Sequence, residues 1–96
     1  MDLTSRSKTE IISQMLGAVS AAAAANDTVV GGGATKTQIM YKSFISFRQL
    51  NRYLSLLLEN KLLVYDEKTT KYKITTKGLN FLKVYHQFEE TNIYCQ

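Results

Sequence analysis

One cysteine and one histidine occur in the 96 residues. That supply excludes a disulfide framework and a structural zinc site within the chain. Cys95, one residue from the end, reads as a free thiol at a frayed terminus, and His86 has no second metal ligand near it in sequence. No metal centre is expected. With a single histidine, no Ser/His/Asp set can be argued. Paired carboxylates occur only as Asp66-Glu67 and Glu89-Glu90, in segments read as exposed, so neither catalysis nor a cofactor is expected. Long apolar runs are also missing. None approaches the roughly eighteen residues needed to cross a bilayer, and no basic start precedes an apolar stretch and a small-residue cleavage site. These absences predict a cytoplasmic protein with no membrane partner, and they make the sequon Asn26-Asp27-Thr28 a chance match.

What is present is enough for one small folded unit spanning 1–96. Hydrophobic residues make up 45% and charged residues 21% of the chain, with six tyrosines and four phenylalanines. A chain of this length buries roughly 60–70% of its unfolded surface around a single core. Twelve Lys/Arg against eight Asp/Glu leave a net charge of +4. The excess is local. From Lys36 to Lys83 ten basic residues face three acidic ones, a balance of +7, while two against five leave the remainder at −3. Such segregation in so small a chain is the electrostatic footprint of a polyanionic partner.

Helix starts are well marked. The capping box, a Ser or Thr followed three residues later by Glu or Gln, occurs as Ser7/Glu10, Thr35/Gln38 and Ser46/Gln49. After the first box, Ile11, Met15, Val19 and Ala22, beside Ile12, Leu16 and Ala23, form one apolar stripe on a helix over about 8–25. Residues 26–34, which include Gly31-Gly32-Gly33, read as a loop. A second helix of two turns follows Thr35, with Ile39 and Met40 inward, and a third runs from Ser46 to about Asn60. Ile45 can staple onto Leu50 to fix the angle between them. Two β-prone runs, Leu62 to Tyr65 and Tyr72 to Thr75, flank a polar segment and predict a hairpin. Thr76 is the expected cap of a last helix over about 77–92.

In that order stand the segment Gly33-Ala34-Thr35-Lys36-Thr37-Gln38-Ile39-Met40-Tyr41, the helix Phe47-Arg48-Gln49-Leu50-Asn51-Arg52-Tyr53-Leu54 with Leu62-Leu63 after it, and the junction Tyr72-x-Ile74-Thr75-Thr76-Lys77-Gly78-Leu79-x-Phe81-Leu82. Together they resemble the archaeal winged-helix DNA-binding proteins, which include small regulators and crenarchaeal chromatin proteins. The resemblance covers about residues 6–90. It implies an α+β, mainly helical winged helix-turn-helix: a three-helix core with the helix-turn-helix at about 35–60, a two-stranded wing at about 62–75, and a C-terminal helix. It also implies binding to double-stranded DNA, as a transcription regulator or a nucleoid-associated architectural protein, and pairing of two copies through the last helix. Because the same fold also serves to dock proteins, a protein-interaction module is the alternative.

The contact residues follow from projecting the third helix at about 100° per residue. Leu50, Leu54 and Leu57 face the core, with Phe47 and Leu58 beside them. Opposite lie Arg48, Arg52, Ser55 and Glu59, flanked by Gln49 and Asn51, with Ser46 at the cap. In a major groove, Arg pairs with guanine and Asn or Gln with adenine. Thr35, Lys36 and Thr37 at the start of the second helix, with Lys42, are placed to meet phosphates, as are Lys68, Thr70, Lys71 and Lys73 of the wing. Tyr41, Tyr53 and Tyr65 read as core or rim. Leu79, Leu82, Tyr85 and Phe88 form the stripe assigned to dimerisation. Gly31-Gly32-Gly33-Ala34-Thr35-Lys36-Thr37 is no phosphate loop, since the glycines that motif requires fall on Val30 and Thr35.

Overall fold

The computed structural model describes residues 7–25 and 33–94, with side chains at 7–22 and 33–87. Most of the expected 26–34 loop, Cys95 and the side chains of Ala23 and Phe88 lie outside the described residues. The elements run α1 (Lys8–Ala25), α2 (Lys36–Ser43), α3 (Phe47–Glu59), β1 (Leu63–Asp66), β2 (Lys71–Ile74) and α4 (Thr76–Tyr94).

All three capping boxes form. Ser7 Oγ accepts the Glu10 N–H at 3.1 Å while the Glu10 carboxylate accepts the Ser7 N–H at 3.0 Å. The same reciprocal pairs join Thr35 to Gln38 and Ser46 to Gln49. Each satisfies two backbone donors that a helix start leaves open. From its cap, α1 turns Ile11, Met15, Leu16 and Val19 into the core and packs on α2, α4 and β2. Ile39 of α2, and Leu50, Leu54 and Leu57 of α3, meet them, and Ile45 is buried with Leu50 as the staple requires.

The helices α2 and α3 end alike. After α2 the Phe44 and Ile45 N–H groups bond back to the Tyr41 and Met40 carbonyls, and after α3 the Lys61 and Leu62 N–H groups bond to Leu58 and Leu57. This double closure needs a left-handed residue, which is usually glycine. Here the positions hold Phe44 at φ 56° and Lys61 at φ 60°, and a third left-handed residue, Thr70 at φ 54°, lies in the wing turn. An L-residue held there costs about 1–2 kcal/mol.

The hairpin pairs β1 with β2 antiparallel, Leu63 opposite Ile74 and Tyr65 opposite Tyr72. Its strands lie one residue away from the expected ones, β1 later and β2 earlier, because Leu62 and Thr75 are drawn into the junction with α4. There the Thr75 N–H donates to the Leu62 carbonyl at 3.1 Å, and its hydroxyl donates to the Lys61 carbonyl at 2.7 Å while accepting the Gly78 N–H at 3.0 Å. The cap of α4 is therefore Thr75 and not Thr76, the hydroxyl best placed for the third residue of the helix. Gly78 is buried against the Leu62 carbonyl and Ile74, where a side chain has no room.

Ala34, expected in a loop, instead adds a one-residue strand to the sheet. It accepts the Tyr72 N–H at 2.7 Å and donates to the Tyr72 carbonyl at 3.0 Å. Both backbone groups of Tyr72 thus go to Ala34, its pairing with Tyr65 being a non-hydrogen-bonded one, and its ring is buried 4.8 Å from that of Tyr65, centroid to centroid. Burial pushes the Tyr72 phenol above its usual 10.0.

Two glycine substitutions should move stability in opposite directions. A Cβ at Gly33 would stand 2.5 Å from the Tyr72 carbonyl oxygen, whereas one at Gly17, within α1, meets nothing within 4 Å. In thermal unfolding, Gly33→Ala is expected to destabilise by about 1–3 kcal/mol and Gly17→Ala to stabilise by about 1 kcal/mol.

Candidate nucleic-acid interface

Helix α3 presents one face outward. Arg48, Arg52 and Ser55 are exposed along it, with Asn51 half-buried at its edge. The start of α2 comes beside this face, because Lys36 Nζ donates to Asn51 Oδ1 at 3.2 Å. That hydrogen bond brings together two residues fifteen positions apart, both expected in the interface, and gives the α2 amine and the α3 amide one location. Thr37 and Lys42 are exposed on α2, and Thr35 is half-buried at its cap.

Other expected contact residues already have work within the chain. Ser46 and Gln49 close the α3 capping box, so the carboxamide oxygen of Gln49 is committed to the Ser46 N–H at 3.2 Å and its amino group is the part left to read a base. In the wing, Lys73 Nζ lies 2.9 Å from the Asp66 carboxylate. That hydrogen bond, with the Lys68 N–H donating to Asp66 at 3.0 Å, holds the carboxyl below its usual 3.8. Lys68 and Thr70 are exposed at the wing tip, and Lys71 is half-buried. The wing therefore offers its tip freely and its root through a neutralised pair.

The placement of the aromatic residues corrects the sequence reading. Phe47, projected beside the core stripe, is 62% exposed, and Leu58 is exposed on the same flank. Both lie about 60–80° round from Leu50, a flank that the neighbouring elements do not cover, while Tyr53 on the opposite flank packs against the core. Tyr41 is 70% exposed and Tyr65 exposed, rather than core or rim. Phe44, given no role by the sequence analysis, is at 82% the most exposed large apolar residue among those whose side chains are described. The signal available for it was the three-residue link between two capped helices, which forces one residue outward into the left-handed region.

Among the described residues no group of three His, Cys, Asp or Glu side chains could hold a metal ion, and no helix is long and apolar enough to cross a membrane. Comparison with known families finds that the winged helix-turn-helix profile matches residues 5–92. The chain belongs to the winged helix-turn-helix family. A search of curated proteins gives no match. In winged-helix terms α2 and α3 are the helix-turn-helix, the hairpin is the wing, and Ala34 is the third strand of its sheet reduced to one residue. The match and the element order agree with the α+β, mainly helical fold implied by the resemblance.

The Lys73–Asp66 pair yields a test of the wing. Asp66→Asn releases one lysine charge, so duplex affinity measured across a salt series should rise, with a slope steeper by about one. An unchanged slope would take Lys73 out of the interface.

Proposed function

We propose that this winged helix binds double-stranded DNA, with the N-terminal half of α3 in the major groove and the wing on the phosphate backbone, as a transcription regulator or an architectural protein of the nucleoid. One observation carries the reading. No acidic residue lies between Asp27 and Glu59, and within that stretch Lys36, Lys42, Arg48 and Arg52 are all exposed. A stretch with exposed cations and no carboxylate before Glu59 at the end of α3 suits a phosphate lattice, and phosphate neutralisation supplies affinity that falls steeply with salt. Arg48 and Arg52 have the fork geometry that guanine accepts. Thr35, Lys36, Thr37, Lys42, Lys68, Thr70 and Lys71 position the domain without reading bases. No catalytic role is assigned.

Pairing of two copies through α4 belongs to the same proposal. Val84, which is exposed, borders with Phe81, Tyr85 and Thr9 of α1 an apolar surface between α1 and α4, and Leu79 is exposed elsewhere on α4. Leu82 is buried in the chain's own core and contributes to folding instead. Two copies would set their recognition helices on half-sites about one DNA turn apart. Sedimentation as a monomer at micromolar concentration removes the pairing and leaves the DNA reading intact.

Fluorescence anisotropy of a labelled mixed-sequence duplex, titrated between about 50 and 200 mM salt, tests the function. Duplex should bind more tightly than single strand, with a steep salt slope. Arg48→Ala or Arg52→Ala should weaken duplex binding by about 1–3 kcal/mol at an unchanged melting temperature. Flat titrations at the lowest salt would replace this reading with a protein-interaction module.

A further inference from the structure

Tyr41, Phe44 and Phe47 stand three residues apart through the end of α2, the connecting turn and the first residue of α3, and all three are largely exposed. Aromatic rings normally supply a large part of a small core, and here three of them, evenly spaced along the helix-turn-helix, are left in solvent. Position 44 makes the point sharpest. Its left-handed backbone would suit glycine best, and its solvent exposure would suit a polar residue best. Phenylalanine meets neither preference, so the local rules are broken at position 44.

The surroundings select the occupant. Lys42 separates Tyr41 from Phe44, Arg48 follows Phe47, and no carboxylate occurs from Thr28 through Leu58. An apolar protein surface would have to bring its own acidic residues to offset those cations, whereas duplex DNA presents apolar groups and phosphates side by side. On α3, Phe47 lies one turn before Asn51, on the flank next to the line of Arg48 and Ser55. The ring thus sits at the end of the helix that a major groove would receive, beside the side chains able to pair with base edges.

We propose that Phe44 and Phe47 form an apolar reading element that packs on the 5-methyl groups of thymines in the major groove, next to the bases contacted by Arg48 and Arg52. This rests on the duplex-binding reading above and adds the base class recognised. A thymine methyl is the one apolar group that the base edges present in that groove, and removing it changes little else of the edge. The element therefore gives preference for thymine where the arginines give preference for guanine, and it acts through a contact that salt does not screen.

The test compares a mixed-sequence duplex with the same duplex carrying deoxyuridine at every thymidine, against the full-length protein and its Phe44→Gly and Phe47→Ala variants. Native protein should bind the thymidine duplex about three- to fivefold more tightly for each methyl contacted. Each variant should lose affinity for the thymidine duplex, with the thymidine-to-deoxyuridine ratio moving towards one and the salt slope unchanged. Melting temperatures serve as the folding control, and Phe44→Gly should melt no lower than the native chain because glycine relieves the left-handed turn. Steep, salt-dependent duplex binding with no difference between the two duplexes, or a difference that both variants retain, overturns the apolar reading element and leaves the duplex-binding function standing. Absence of duplex binding at the lowest salt overturns both.

Discussion

Tyr72 is the residue through which the two halves of the molecule are joined. Its backbone N–H and carbonyl both bond to Ala34, at 2.7 and 3.0 Å, while on its other side it stands opposite Tyr65 of β1. Its ring fills the core above Tyr65. A two-stranded hairpin alone is marginal in water, and the angle of this one to the helices is set by the Thr75 junction, the buried Leu63 and Tyr72 and the Ala34 bridge together. Of these, the Ala34 bridge acts at the very residue that precedes the cap of α2. The start of α2 and the wing are therefore held by one pair of hydrogen bonds, and the basic groups at Lys36 and in the wing have a defined spatial relation.

Helix starts were open to sequence reasoning because a capping box is local chemistry. Ser7, Thr35 and Ser46 find their partners three residues on, whatever the rest of the chain does. The buried stripes of α1 and α3 were legible for the same reason, since the period of the helix decides which side chains share a face. Tertiary pairing was not legible. Ala34 carries nothing in its side chain to announce a strand, and its partner lies far along the sequence. The cap of α4 was misplaced by one residue because two adjacent threonines, Thr75 and Thr76, are equal as local signals, and only the carbonyls of Lys61 and Leu62 decide between them.

The candidate site was legible in kind and less so in detail. The basic residues between Lys36 and Lys73 stand out in the sequence, and the exposed line of Arg48, Arg52 and Ser55 follows from one projection. What no projection shows is which of those groups already has a partner. Lys36 is bonded to Asn51, Gln49 to Ser46, and Lys73 to Asp66, so the face available to a ligand is narrower than the list of polar residues. Phe47 was misassigned because a helical wheel gives directions and not neighbours. The flank it occupies is left uncovered while the opposite flank, with Tyr53, is packed.

The helix ends and the Ala34 bridge also separate in time. Caps and left-handed closures join residues three to five apart, so they form with hardly any loop to close. The bridge closes a loop that contains α2, α3 and β1, and the packing of α1 on β2 and α4 closes longer ones still. The bridge itself is a single residue pair with two hydrogen bonds, and it is the natural line of first opening in the native state. Amide exchange at Ala34 and Tyr72 would then report detachment of the wing alone, while Leu54 and Leu57, buried in α3, would exchange only when the whole helical core comes apart.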